Sequence, residues 1–67
     1  MNITNADWNT LMFLVEAIEQ EGYEFVIFKD EVELSKDNGE FILSAKNDNK
    51  IEAVKDAIQK FIKWDYA

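Results

Sequence analysis

The sequence predicts a small two-layer α+β domain in the order helix, three-stranded antiparallel meander, helix. Apolar residues recur at helical spacing near both ends of the chain, and in the middle they alternate with polar residues. An Asn-Gly pair at positions 38 and 39 lies within the alternating part, where it is typical of a β-hairpin turn. With 67 residues, 48% of them hydrophobic, the chain can build one small core, so a single domain over residues 1–67 is expected.

The opening helix is predicted over residues 7–21. Asp7 or Asn5 can cap its start by accepting backbone N–H groups, and Gly22 can adopt the left-handed conformation that ends a helix. Its apolar face consists of Trp8, Leu11, Met12, Leu14, Val15 and Ile18.

The closing helix is predicted within residues 47–67. Asn49 and Glu52 have the spacing of a capping box, although Asn stands where Ser or Thr is usual. The charged residues of this segment are interpreted as a solvated face. Its apolar face consists of Ile51, Val54, Ile58, Phe61 and Ile62.

The hairpin register follows from the turn. If Asn38 and Gly39 are the central residues of a type I′ turn, Lys36 pairs with Phe41 and Leu34 with Leu43. Shifting this pairing by one residue would mix apolar and polar residues on each face of the sheet. Residues 23–28 predict a further strand, which precedes the hairpin and turns into it through Lys29 and Asp30.

The same alternation divides the sheet into two faces. Both helices are expected to cover one face, and one helix on each face is the alternative. The uncovered face then carries Val26, Phe28 and Ile42 among polar residues. The covered face consists of Tyr23, Phe25, Ile27, Val32, Leu34, Phe41, Leu43 and Ala45.

A calcium loop is the alternative interpretation of the Asp37-Asn38-Gly39 segment. Such a loop needs a glutamate six residues after the glycine, where this chain has Ala45, and Ser35 stands two residues before Asp37. The hairpin turn is therefore favoured. The chain contains neither cysteine nor histidine, and no metal or cofactor is expected.

The residue types present argue against catalysis. Nucleophilic catalysis needs a serine, cysteine or lysine beside a base, and Ser35 and Ser44 have only glutamates near them in the predicted sheet. Glu31 and Glu33 share a face but no cleft is expected around them. We therefore expect a protein that is not an enzyme. No apolar run reaches the ~20 residues of a membrane span, and no secretory signal is recognisable, so a cytoplasmic location is expected.

Negative charge is concentrated in the middle of the chain. The formal net charge is −7, and residues 16–40 contain nine acidic residues against two lysines. This charge and the absence of arginine argue against direct binding of nucleic acid. Such a surface can attract a basic protein partner, or serve solubility alone. The candidate partner-binding residues are Glu24, Phe28, Glu31, Glu33, Asp37 and Glu40.

Both helices carry a resemblance to a known group. The stretches "DWNTLMFLVEAIE" and "KIEAVKDAIQKFIKW" resemble small, poorly characterised phage and prophage proteins of Bacteroidetes hosts, with an Asp-Trp-Asn-x-Leu-Met opening and a Phe-Ile-Lys-Trp-Tyr ending. Here Asp65 separates Trp64 from Tyr66. The resemblance implies a phage gene product that binds a host factor in the host cytoplasm, and an inhibitor of a host defence protein is the leading hypothesis.

Two other functions remain open from the sequence. A homo-oligomer can sequester a small nucleotide-like ligand between subunits, with Trp8, Trp64 and Tyr66 as walls and Lys60 or Lys63 on a phosphate. An accessory virion or regulatory protein is the other alternative. A homo-dimer or higher oligomer is expected from apolar residues outside the predicted core, which are Val26, Phe28, Ile42, Trp64 and Tyr66.

Overall fold

The computed structural model describes residues 2–66 and contains five elements in an α+β arrangement. They are α1 (Trp8–Glu19), β1 (Tyr23–Ile27), β2 (Glu31–Lys36), β3 (Phe41–Lys46) and α2 (Lys50–Asp65). The three strands form an antiparallel meander in the order β1-β2-β3. The predicted order of helix, meander and helix is therefore confirmed.

Helix α1 begins with the predicted aspartate cap. The Asp7 side chain accepts a hydrogen bond of 2.8 Å from the backbone N–H of Thr10, and this bond lowers the pKa of the Asp7 carboxyl. The helix ends at Glu19, two residues earlier than predicted, and Gly22 follows with a φ of +102°. Glycine is favoured there because a side chain disfavours positive φ.

Helix α2 begins with half of the predicted capping box. Asn49 accepts a 3.2 Å bond from the N–H of Glu52, but the Glu52 carboxylate pairs with Lys55 at 3.0 Å instead of returning to Asn49. The predicted apolar face was wrong at Ile51, which is 38% exposed. Ala53 and Ala57 are fully buried in its place, because the small alanine side chains let the helix lie close to the sheet.

Both helices cover the same face of the sheet, as preferred from the sequence. Helix α1 packs on β1, α2 packs on β2 and β3, and the helices contact each other. The face beneath them, here called the inner face, buries Phe25, Val32, Leu34 and Ala45. Ile3 joins this core with 2% exposure, a contribution that the sequence analysis missed.

The β2–β3 turn differs from the predicted type I′ turn. The N–H of Gly39 donates to the carbonyl of Lys36 at 2.9 Å, so Asp37 and Asn38 are the central residues. Within this turn, Gly39 has a positive φ of +93° and Asn38 does not, whereas a type I′ turn would require positive φ at both. Lys36 therefore bonds to Glu40, through a 2.8 Å N–H to carbonyl bond, and does not pair with Phe41.

A bulge in β3 restores the predicted register further from the turn. Leu34 pairs with Leu43 as predicted, but Ser35 pairs with Phe41, so Ile42 is the extra residue. Phe41 consequently shares the outer face with Ser35 and is 59% exposed, whereas Ile42 packs against the core. The predictions of Phe41 on the covered face and Ile42 on the uncovered face were both wrong, because the turn and the bulge each shift the pairing by one residue.

The β1–β2 connection runs through Lys29 and Asp30 as predicted. The N–H of Phe28 donates to the carbonyl of Glu31 at 2.7 Å, and Ile27 pairs with Val32. Strand β1 therefore ends one residue before the predicted boundary, and Phe28 lies in the turn.

Replacing Gly39 by valine should lower the free energy of unfolding by about 1 kcal/mol or more, because a β-branched residue resists positive φ. No atom lies within 4 Å of the position that a Cβ would take, so backbone strain alone carries this cost. For a domain of this size the melting temperature should fall by about 4–8 °C per kcal/mol.

The matched control is Gly39→Asn, because asparagine tolerates positive φ better than valine does. In thermal unfolding followed by circular dichroism, the parent should melt at the highest temperature, the Gly39→Asn variant below it and the Gly39→Val variant lowest. Equal melting temperatures for all three proteins would contradict the turn geometry.

Candidate protein-interaction surface

The face of the sheet opposite the helices, here called the outer face, presents a grid of nine side chains. Neither helix covers it, because both pack on the inner face. The pairing places three rows side by side across the strands. These rows are Glu24–Ser35–Phe41, Val26–Glu33–Ser44 and Phe28–Glu31–Lys46.

The outer face combines exposed apolar side chains with negative charge. Val26, Phe28 and Phe41 are 37%, 46% and 59% exposed. Three glutamates against one lysine give the grid a formal charge of −2. Glu33 occupies the centre of the grid, between Val26 and Ser44. A surface of this composition suits a partner with apolar groups and positive charge.

The structure brings four of the six predicted partner-binding residues onto this face, namely Glu24, Phe28, Glu31 and Glu33. Asp37 and Glu40 lie instead at the β2–β3 turn. The Glu40 carboxylate pairs with the ammonium of Lys36 at 3.0 Å, and this hydrogen bond raises the pKa of Lys36.

The residues predicted for self-association do not form one patch. Val26 and Phe28 lie on the outer face, whereas Ile42 packs against the core. Trp64 lies on the helical side, where its ring centroid is 6.1 Å from that of Tyr23 and 6.0 Å from that of Phe61. Tyr66 follows α2 and is 83% exposed. These five residues therefore do not lie on one continuous surface, because the sheet separates Val26 and Phe28 from Trp64, and self-association through them stays a prediction.

The residues predicted to enclose a small ligand are also dispersed. Trp8 begins α1, whereas Trp64 and Tyr66 lie at the end of α2. The Lys60 ammonium donates to the carbonyl of Ser44 at 2.9 Å, so it already has a partner, and Lys63 is exposed in the last turn of α2. A pocket built from these residues would require a second subunit.

Side chains of the two helices form hydrogen bonds to one backbone group on each edge strand of the sheet. The Glu19 carboxylate accepts the N–H of Phe25 on β1 at 3.1 Å, and Lys60 caps Ser44 on β3. Exposed edge groups invite pairing with other chains, and charged side chains discourage it. The sequence analysis missed both contacts, since they depend on how the helices lie across the sheet.

A second surface lies between the two helices and was not predicted from the sequence. This interhelical groove has a volume of about 220 Å³. Leu14 and Ala17 of α1 and Ile58 and Ile62 of α2 line its apolar part. One end is lined by Glu21, Asp65 and Tyr66. Apolar residues repeated four positions apart on both helices, Leu14 with Ile18 and Ile58 with Ile62, are the sequence signal that could have indicated it.

The described residues 2–66 contain neither a metal-binding cluster of side chains nor a membrane-spanning helix. No group of three or more acidic side chains is placed so that it could hold a metal ion in this part of the chain. Neither α1 nor α2 has the length and apolar character of a membrane-spanning helix.

Comparisons with protein-family models, curated proteins and solved structures give no match to this chain. The geometry of its own surfaces is therefore the basis for a functional proposal.

Calcium at millimolar concentration should cause no saturable change in the backbone amide shifts of residues 37–40. Two side-chain oxygen donors of this turn are already engaged, because Asn38 Oδ1 accepts the N–H of Glu40 at 2.9 Å and the Glu40 carboxylate pairs with Lys36. NMR titration with calcium chloride measures this, with sodium chloride of equal ionic strength as control. Saturable shifts confined to residues 37–40 would restore the calcium interpretation.

Proposed function

We propose that this protein is a non-enzymatic interaction module whose outer face binds a basic surface of a protein partner. One observation carries the proposal: an uncovered sheet face places Val26, Phe28 and Phe41 around a glutamate-rich centre. The outer-face residues Ser35 and Ser44 have no histidine to activate them, because the chain contains none.

The two components of the outer face contribute differently to binding. Burial of an exposed phenylalanine contributes roughly 1.5–3 kcal/mol, which favours Phe28 and Phe41 as anchors. The glutamates contribute mainly to the rate of association and to the choice of partner, since opposite charges steer the encounter. A basic surface with apolar residues between its lysines or arginines matches both components.

We propose that the partner is a basic protein of a bacterial host. The resemblance of both helices to phage and prophage proteins favours a protein of the bacterial host, acting in the host cytoplasm. A small acidic protein that covers a basic functional groove blocks it without chemistry of its own. Inhibition of a host defence protein is therefore the specific function that we propose.

Self-association is the second use of the same face, and it stays a prediction. The exposure of Val26, Phe28 and Phe41 favours it. The central position of Glu33 opposes it, because a face-to-face dimer with its two-fold axis through the grid centre brings Glu33 close to its own copy. We expect weak self-association that strengthens when salt screens this repulsion.

Reversing two charges on the outer face should abolish capture of a basic host protein. With immobilised protein and host lysate, we expect a partner bound by the parent to be lost with Glu31→Lys/Glu33→Lys. Its Kd, measured with the purified partner, should rise about tenfold or more, which corresponds to ~1.4 kcal/mol. High salt should weaken the parent complex, so the Kd values of the parent and of the double variant should become more similar.

The matched control is Glu16→Lys/Asp56→Lys, which changes the net charge equally on the helices. This control should bind the partner nearly as well as the parent does. Equal losses with both double variants would show a dependence on net charge alone and would contradict a specific outer face.

Phe28→Glu should leave the fold intact and remove any dimer. Phe28 is 46% exposed and both helices cover the other face, so the substitution leaves no cavity in the core. Light scattering after size exclusion measures the mass of both proteins at low and high salt. A parent dimer that dissociates at high salt, or that persists in Phe28→Glu, would contradict the outer-face geometry. Unfolding of Phe28→Glu would show that Phe28 supports the core.

A further inference from the structure

The two helices run in the same direction, so both of their C-terminal ends lie at one end of the interhelical groove. The Lys55 ammonium donates to the Thr4 carbonyl at 2.6 Å, so the segment before α1 lies beside the first half of α2. Glu21 lies two residues after the end of α1, and Asp65 is the last residue of α2. Both line the same end of the groove. The helices therefore run in the same direction, and their C-terminal ends lie together.

Two ridges of side chains border the groove. On α1, Leu14, Ala17 and Ile18 line the groove at the three- and four-residue spacing of one helix face, and Glu21 follows beyond the helix end. On α2, Ile58 and Ile62 are four residues apart, Tyr66 follows at the C-cap, and all three line the groove. Parallel ridges with a groove between them are the surface onto which a third helix packs. Ala17 is exposed and short, which opens the groove on the α1 side.

The end of the groove carries the carboxylates of Glu21 and Asp65. Within residues 2–66 the ion pairs are Lys36–Glu40 and Lys55–Glu52, and neither involves Glu21 or Asp65. Helix C-terminal ends carry partial negative charge, so two such ends add to the two carboxylates. A cation placed here would interact favourably with both carboxylates and both helix ends.

We propose that the interhelical groove is a second docking site, which binds a basic amphipathic helix of a partner protein. An apolar side chain of that helix would lie between Ala17 and Ile62, and a lysine or arginine would reach Glu21 and Asp65. In this helix-in-groove mode of binding, the apolar side chains along one face of the partner helix contact the groove. The charge of the groove end argues against a second copy of this chain, whose net charge is −7, and against an anionic membrane surface.

The probe is a fluorescein-labelled 14-residue peptide of leucine and lysine, with leucine at helical spacing along one face. We expect saturable binding with a Kd below about 1 mM by fluorescence anisotropy. In ¹⁵N NMR spectra, the largest amide shifts should fall on the groove residues, with Ala17 and Tyr66 among them, and not on Glu33. A peptide with glutamate in place of every lysine should not bind.

Three variants locate the site and its charge dependence. Ala17→Lys fills the groove with a cation and should weaken binding at least tenfold. Glu21→Gln/Asp65→Asn should weaken it several-fold and flatten its salt dependence. Asp48→Asn, in the loop before α2 and outside both surfaces, should leave binding unchanged. Ala17, Glu21 and Asp65 are all exposed, so the variants should fold, and circular dichroism checks this.

The contradicting outcomes are separate from those of the outer-face proposal. No saturable binding, or equal binding by the parent and Ala17→Lys, would overturn the groove proposal and leave the outer face untouched. Equal binding of a leucine-glutamine peptide would show an apolar groove without charge selection, which contradicts the proposed basic partner. Amide shifts centred on Glu33 would show that the peptide binds the outer face and would contradict the groove proposal.

Discussion

The shortage of core-forming side chains is the constraint on which the rest of this structure depends. A chain of 67 residues buries a smaller fraction of its surface on folding than a larger domain does, and here both helices are used to cover a single face of a three-stranded sheet. Fully buried residues such as Leu11, Leu34 and Ile58 form that one core. Nothing comparable within residues 2–66 covers the other side, so Phe28 and Phe41 stay exposed on a face that also carries glutamates. The outer face is therefore a consequence of how the core is built.

Charged side chains complete the fold where apolar side chains cannot. Lys55 holds the segment that delivers Ile3 to the core, through its bond to the Thr4 carbonyl. Glu19 and Lys60 each bind one backbone group on an edge strand. Each of these bonds satisfies a polar group that an apolar side chain would leave unpaired. Charges that the sequence analysis assigned to a solvated face can therefore have structural roles, whereas Glu21 and Asp65 have no ion-pair partner among residues 2–66.

The sequence predicted the elements because their signals are local, and it failed where two local shifts act together. Asp7 and Asn49 cap their helices as spacing and residue type indicated. At the hairpin, the preference of Asn-Gly for a type I′ turn gave the wrong turn. The bulge at Ile42 compensated for the shift at the turn. The predicted pairing was therefore right from Glu31 to Leu34 and wrong from Ser35 to the turn. Since a bulge leaves no distinct signal in alternation, the exchange of Phe41 and Ile42 between faces could not be predicted. The interhelical groove was missed because it depends on the parallel packing of two helices.

The two surfaces differ in shape more than in charge. The outer face is an extended grid with Glu33 at its centre, whereas the interhelical groove is a narrow apolar channel with Glu21 and Asp65 at one end. The core separates them, so occupation of one surface does not cover the other. Both surfaces select cationic partners, and the net charge of −7 opposes contact between copies of the chain. Charge thus defines the class of partner for both surfaces, and shape determines whether that partner presents a broad face or a single helix.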